Sequence, residues 1–169
     1  MRAFLAWLLR VLFPRPPAPI ASLRPGSAAK VRGRVIARDL IDSPLRGEPC
    51  VYYRYLVEEW RASRAYVGGT WNPAQFDEAI AEFYIVDDTG RALVLPAGAE
   101  VVCRAAHSEE VGYQRRAVEA CIGPDDVVEI DGWVDSVDDK LDDVRGYRDG
   151  AARVALRAPT GRPLRIRVV

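Results

Sequence analysis

The side chains best able to bind a metal ion or attack a substrate are three cysteines and the single histidine of this 169-residue chain. Cys103, His107 and Cys121 could together hold a zinc ion, but their spacing matches no common zinc motif, in which ligands come in close pairs. The acidic run from Asp135 to Asp143 could bind calcium, although it lacks the central glycine and the terminal glutamate of an EF-hand loop. We therefore expect neither a metal site nor a cofactor, and we expect the acidic run to form a solvated loop.

Nucleophilic catalysis would require a serine or cysteine next to a general base. His107 stands in no triad spacing, and the glycines of Gly68-Gly69 and Asp88-Thr89-Gly90 match neither a P-loop nor a dinucleotide-binding fingerprint. No two cysteines have the C-x-x-C spacing, and each lies in an apolar, strand-like context. We therefore interpret Cys50 and the other two as reduced, buried side chains, and we expect a protein that is not an enzyme.

The elements that must position these residues are short strands. Runs of β-branched, aromatic and aliphatic residues between turn residues predict eight of them, at Val31–Arg38, Cys50–Arg61, Ala81–Asp87, Ala92–Pro96, Glu100–Arg104, Val127–Val137, Arg153–Ala158 and Leu164–Val169. Closure into a small, mostly β structure, an OB-like or partly open barrel, would remove exposed strand edges. The turn residues of Ala158–Arg162 predict a hairpin between the last two strands. Residues 63–79, 105–117 and 135–149 have no sustained period, and they predict long loops or short helices.

The first thirteen residues form a short apolar segment, and a proline-rich linker, residues 14–29, separates it from the β domain, residues 30–169. As an amphipathic helix the segment would be about 20 Å long, so it could lie in a membrane interface but could not cross a hydrocarbon core of ~30 Å. The predicted membrane-contact residues are Arg2, Phe4, Leu5, Trp7, Leu8, Arg10, Val11 and Leu12. A helix packed on protein and a cleaved signal peptide are the alternatives.

The charge is unevenly distributed, although the formal net charge is zero. Residues 1–34 contain seven basic and no acidic side chains, which favours an anionic partner such as a membrane surface. An oligonucleotide-binding barrel is the alternative, in which bases would stack on Tyr52, Tyr55, Trp60, Tyr66 and Trp71. Acids outnumber bases from Lys30 onward, which argues against nucleic-acid binding because phosphates need a cationic groove. Most of these aromatic rings are therefore predicted to lie in the core.

The most distinctive motif is Ser43-Pro44-Leu45-Arg46-Gly47-Glu48-Pro49-Cys50-Val51-Tyr52-Tyr53. Gly33-Arg34-Val35 precedes it, while Phe83-x-Ile85-x-Asp87-x-Thr89-Gly90 and Ile122-Gly123-Pro124-Asp125-Asp126-Val127 follow. In this order the motifs resemble the GIDE domain, also called the BAM or "beside a membrane" domain, over residues 30–169. The resemblance implies a β-rich domain that is held beside a membrane and binds protein partners.

Several members of that family are membrane-embedded E3 ubiquitin ligases, whose activity resides in a RING that holds zinc through closely spaced Cys and His pairs. This sequence contains no such pairs, so the resemblance implies a binding module without ligase activity. We expect a cytoplasmic, membrane-peripheral module whose loops contact an unidentified protein partner through Tyr66, Trp71 and Phe76. An oligonucleotide-binding barrel and an enzyme with an unidentified site are the alternatives.

Overall fold

A computed structural model of the chain describes residues 16–63, 67–103, 106–138 and 153–169. Strands account for 61% of these residues, so the protein is mostly β, as its sequence predicts. Within these ranges no helix is long and apolar enough to cross a bilayer. The elements are the 3-10 turn η1 (Ile20–Ser22) and the strands β1 (Ser27–Ala37), β2 (Ile41–Asp42), β3 (Pro49–Cys50), β4 (Tyr52–Ala62), β5 (Gly69–Ile80), β6 (Phe83–Asp87), β7 (Gly90–Val94), β8 (Glu100–Val102), β9 (His107–Gly112), β10 (Arg115–Ile122), β11 (Val127–Ser136), β12 (Val154–Arg157) and β13 (Arg165–Val168).

Five strands form a closed barrel in the order β1-β6-β7-β12-β11, and β11 returns to pair with β1. The closing pair is antiparallel and long, because Ser27 to Arg34 of β1 face Val134 to Val127 of β11. β12 lies parallel to β7, whereas the other barrel pairs are antiparallel. β13 pairs with the same edge of β11 as β12 does, and β8 lies parallel to β13. Barrel closure leaves the five strands without open edges in the ring.

The barrel interior is apolar because alternate residues of each strand point inward. The fully buried side chains there include Val31, Val35, Ile85, Val94, Ile130 and Leu156. Each such side chain contributes about 1.5–3 kcal/mol to folding through its removal from water. Gly33 of β1 lies against β6, where an added Cβ would collide with the carbonyl oxygen of Val86. Only glycine fits this close approach.

Two insertions in the barrel build a second sheet. In the sequence, β4 and β5 lie between barrel strands β1 and β6, and β9 and β10 lie between β7 and β11. The two hairpins join through β4 and β10, which gives an antiparallel sheet in the order β5-β4-β10-β9. We call it the inserted sheet. β2 and β3 form a separate two-stranded ribbon between β1 and β4.

The strand pairing defines two opposite ends of the barrel. At one end β1 begins and β11 ends, since Ser27 pairs with Val134, and η1 is hydrogen-bonded to the turn between β6 and β7 there. At the other end β1 and β7 finish and β6 begins, since Ala37 and Val94 both pair with Phe83. Both insertions depart from this second end. We call the two ends the amino pole and the insertion pole.

Each of the eight strands predicted from the sequence overlaps an observed strand, with shifted ends. β1 begins at Ser27, three residues before the predicted start of the β domain at Lys30. Ile20, which the sequence places in the linker, is buried in the core. The predicted amphipathic helix over residues 1–13, with all its membrane-contact residues from Arg2 to Leu12, lies outside the described residues.

Three predictions about connections are wrong. Residues 69–80 form β5 rather than a loop, and residues 107–112 and 115–122 form β9 and β10. β5 has no apolar period because it is an edge strand with most of its side chains exposed, and Pro73 is tolerated there beside a bulge. β12 and β13 form no hairpin, since both pair with β11 instead. Most of the third segment, residues 139–152, lies outside the described ranges.

Candidate protein-binding site

The inserted sheet has two faces of different character. Strand alternation puts Tyr52, Leu56 and Val118 on one face, which borders an open cleft against the barrel and is called the cleft face. Val57 and Glu119 belong to the opposite face, which we call the covered face because the loop between β2 and β3 is hydrogen-bonded to it.

Trp71 is part of an aromatic and cationic cluster on the inserted sheet. It lies opposite Trp60, and the two rings meet edge to face with their centroids 5.6 Å apart. The guanidinium carbon of Arg116 lies 4.4 Å from the centroid of the Trp71 ring, and Nε of Arg116 donates to Oε2 of Glu58 at 2.7 Å. Trp71 thus lies half-buried in a strand, not in the loop that the sequence suggested, and part of its ring surface is already used within the sheet.

Phe76 lies on the same edge strand and is 59% exposed, facing Leu56 across the strand pair. Tyr113, in the turn between β9 and β10, is 89% exposed, and Val111 is exposed beside it on β9. Tyr66 lies outside the described residues. Sequence reasoning missed Tyr113, for which the signal was an aromatic residue in a tight turn at Gly112. Phe76 and Tyr113 lie at opposite edges of the inserted sheet, so these exposed side chains are scattered and do not form one contiguous apolar patch.

The cleft lies at the insertion pole, where the base of the inserted sheet faces the connection between β7 and β8. It has a volume of about 460 Å³, which is within the usual ~300–1,000 Å³ of ligand-binding pockets. One wall consists of Tyr52, Glu78, Ala79, Ile80 and Glu82, and the other of Leu95, Pro96, Ala97, Gly98, Ala99 and Val101. The second wall offers no charged or hydrogen-bonding side chain, so the polar chemistry of the cleft comes from the first.

Two carboxylates give the cleft its negative charge. The hydroxyl of Tyr52 donates to Oε1 of Glu78 at 2.7 Å, and burial together with this hydrogen bond raises the pKa of Tyr52 above its usual value. Nη1 of Arg38 donates to Oε2 of Glu82 at 2.9 Å. Arg54 lies opposite Glu78 in the register of β4 and β5. Among the described residues, however, the Glu78 carboxylate makes no ion pair. The carboxylate of Glu78 thus has a hydrogen bond to Tyr52 but no direct contact with a cation in the described part of the chain.

The loop of the most distinctive motif caps a buried carboxylate on the covered face. Glu119 is 2% exposed, and its Oε2 accepts a hydrogen bond from the N–H of Leu45 at 2.7 Å. Its Oε1 has no hydrogen-bond partner within the described part of the chain. The N–H of Ser43 donates to the carbonyl of Glu48 at 3.0 Å, and the N–H of Gly47 donates to the carbonyl of Ser43 at 2.9 Å. The motif therefore folds into a tight turn over Glu119.

All three cysteines are free thiols. Cys50 is buried, as expected, whereas Cys103 and Cys121 are only half-buried. Cys50 is 1% exposed and its Sγ donates to the carbonyl of Ile41 at 3.4 Å. Burial raises the pKa of Cys50, and it raises the pKa of Cys103 to about 11. Burial and then the charge of Glu119 raise the pKa of Cys121 to about 12. Thiols of this kind are protonated at neutral pH and are weak nucleophiles.

The Asp-Asp-Thr-Gly turn fixes the amino-terminal entry of the chain to the barrel. Oδ1 of Asp87 accepts hydrogen bonds from the N–H groups of Thr89 at 2.7 Å and Gly90 at 3.0 Å, and Oδ2 accepts from the N–H of Ile20 at 2.8 Å. Burial alone would raise the pKa of Asp87, but the hydrogen bonds hold it below its usual value. This motif thus connects η1 to the turn between β6 and β7 at the amino pole.

The described residues suggested for metal binding do not assemble into a site, and one of the aromatic residues suggested for base stacking is buried. His107 is exposed at the start of β9, with its Nε2 3.7 Å from Oε2 of Glu109. In the described ranges no three His, Cys, Asp or Glu side chains are placed to share a metal ion. Tyr52 is 1% exposed, so its ring cannot stack on a base.

Comparison of the chain with protein-family models, with curated proteins and with solved structures finds no match. The inserted sheet, its cleft and the separation of the two poles are therefore the observations on which a functional proposal rests.

Proposed function

We propose that this protein is a non-enzymatic, membrane-proximal protein-binding module of the GIDE kind. Its N-terminal segment attaches it to a cytoplasmic membrane surface, and its inserted sheet binds a protein partner. The observation that carries the proposal is that the chain enters the barrel at the amino pole, whereas the inserted sheet lies at the insertion pole. A barrel attached through its amino pole would present the inserted sheet away from the membrane.

The contacts at the amino pole support a defined orientation. The N–H of Ala18 donates to the carbonyl of Lys30 at 2.7 Å, and Ile20 is 3% exposed. The chain is therefore fixed to the barrel from Ala18 onward, and only the proline-rich residues 14–17 separate this point from the apolar segment. Proline-rich linkers are semi-rigid, so such a short one would restrict the barrel to positions close to the membrane.

The barrel topology supports the finer proposal of an OB-like fold. OB-folds are five-stranded Greek-key barrels that bind ligands with the connection between their first and second strands, among other loops. In this protein the connection between the first two barrel strands, β1 and β6, contains β4 and β5 of the inserted sheet. The proposed partner-binding surface thus occupies the place where ligand-binding loops occur in OB-folds.

Vesicle flotation of the full chain tests the membrane contact. We expect it to float with vesicles containing phosphatidylserine and to remain unbound with vesicles of phosphatidylcholine alone. Replacing both Arg2 and Arg10 by Glu should weaken binding by about 2 kcal/mol or more, since each basic residue near an anionic surface contributes about 1 kcal/mol.

Arg61→Glu provides the matched control, because Arg61 is an exposed residue of β4 on the inserted sheet. This variant reverses one charge at the other pole, half the change made in the double variant, and it should float like the unmodified chain. Equal flotation of all three proteins, or flotation that is insensitive to phosphatidylserine, would show that the basic segment does not hold the module at an anionic membrane.

A further inference from the structure

Two strand edges border the cleft at the insertion pole. β5 is the outer strand of the inserted sheet, and in the described residues it pairs only with β4. β8 ends the other sheet, and in the same part of the chain it pairs only with β13. Glu78 to Ile80 of β5 and Val101 of β8 both line the cleft. Unpaired strand edges can add an extended peptide through main-chain hydrogen bonds.

The side chains of the cleft specify the chemistry of such a peptide. The wall from Leu95 to Ala99 consists of aliphatic residues, proline and glycine, which suit small apolar side chains. On the facing wall, Glu78 uses only one carboxylate oxygen for Tyr52, and the side chain of Glu82 is 44% exposed despite its pairing with Arg38. Both acids can therefore accept further hydrogen bonds from a cation. Among the residues that the structure describes, no lysine or arginine lines the cleft itself.

We propose that the cleft binds an extended protein segment in which a lysine or arginine is flanked by small aliphatic residues. The basic side chain contacts Glu78 and Glu82, and the flanking side chains lie against Leu95, Pro96 and Val101. This inference rests on the proposed function, since it names the chemistry of the partner that the module would bind. The exposed Phe76, further along β5, extends the same surface.

The test uses three short peptides that differ at one position. Each is a capped alanine and valine peptide whose central residue is lysine, norleucine or glutamate. They are added to the isotope-labelled full chain, and amide shifts are followed by two-dimensional NMR. We expect the lysine peptide to shift the amides of residues 78–82 and 95–101 and to bind about tenfold more tightly than the norleucine peptide, since two partly exposed ion pairs are available to it. The glutamate peptide should not bind.

Variants of the acidic residues test whether the preference for the lysine peptide arises in the cleft. Glu78→Gln together with Glu82→Gln should remove the preference for lysine over norleucine. Glu110→Gln should keep it, because Glu110 is an exposed carboxylate on β9, at the opposite edge of the inserted sheet. Binding of the lysine peptide should also weaken as salt is raised, because partly exposed charges are screened.

The inference is overturned if lysine and norleucine peptides bind equally, if the shifted amides lie outside the cleft, or if the lysine peptide causes no shift at millimolar concentration. Vesicle flotation does not depend on Glu78 or Glu82. Floating protein that ignores the lysine peptide would therefore overturn only the identity of the ligand, whereas lysine binding without flotation would overturn only the membrane contact.

Discussion

The buried Glu119 allows two substitutions to be predicted with different outcomes. Its Oε2 accepts the N–H of Leu45, and its Oε1 has no partner in the described residues. Glu119→Ala removes the acceptor and leaves a space. Glu119→Gln retains an oxygen for Leu45 and removes the buried charge.

The expected free-energy changes follow from these contacts. A hydrogen bond to a charged group is worth about 1.5–3 kcal/mol, and the cavity left by truncation adds on the order of 1 kcal/mol, so we expect Glu119→Ala to lower the free energy of unfolding by about 3 kcal/mol. Glu119→Gln should cost less than about 1 kcal/mol, because removal of an incompletely paired buried charge offsets the weaker hydrogen bond.

Urea titration followed by tryptophan fluorescence measures both variants, and Trp60 and Trp71 report directly on the inserted sheet. Thermal unfolding should give a melting temperature lowered by roughly 6–12 °C for Glu119→Ala, at about 2–4 °C per kcal/mol. Thiol titration is an independent readout, because loss of the Glu119 charge should lower the pKa of Cys121 in either variant.

Equal destabilisation by Glu119→Gln and Glu119→Ala would refute the reasoning, since the charge rather than the acceptor would then hold the loop. Two neutral variants would show that the hydrogen bond to Leu45 does not stabilise the fold.

Three further substitutions have defined outcomes. Asp87→Asn should lower stability by about 1–2 kcal/mol at neutral pH. That difference should disappear as the pH falls through the lowered pKa of Asp87, since protonation then removes the same charge, and urea titrations across pH would contradict this if the two curves stayed apart. Gly33→Ala should cost about 1–3 kcal/mol or more in thermal unfolding because its Cβ collides with Val86, whereas Gly123→Ala, with its nearest neighbour 4.0 Å away, should be much milder. Trp71→Ala should cost about 1–2.5 kcal/mol and accelerate amide exchange in β5, and unchanged exchange would argue against the aromatic cluster.

The barrel strands could be predicted from the sequence by two different patterns. Val128 and Ile130 of β11 recur at every second residue, which identifies a half-buried strand. β6 and β7 each bury three consecutive residues and instead appear as short continuous apolar runs. All six residues of β9 are exposed, so no such pattern exists there. The sequence of β10 shows no clear apolar alternation, because its buried positions include alanines and Glu119. Pairing with β4 stabilises this strand, and that contact is distant in the sequence.

The motifs behind the family resemblance form turns that connect parts of the fold to each other, and they do not form a binding site. Asp126 accepts a hydrogen bond from the N–H of Gly123 at 2.8 Å, and Asp125 pairs with Arg34 at 2.6 Å, which fixes the end of an insertion to β1. The cleft could not be predicted, because its walls come from residues 78–82 and 95–101 and one of them consists of common aliphatic residues, proline and glycine. These two segments form a candidate binding cleft only after the barrel fold brings them together.

Barrel closure also determines when this protein can fold. Val31 pairs with Ile130. β1 therefore cannot form this pairing until most of the chain, including β11, has been synthesised. The hairpins β4–β5 and β6–β7 join neighbouring segments and can form earlier. Non-local pairing of this kind slows folding, and it leaves strand edges unprotected in the meantime. We therefore expect closure to be a late, cooperative step that is completed only after β12, which joins β7 to β11 in the ring, has been synthesised.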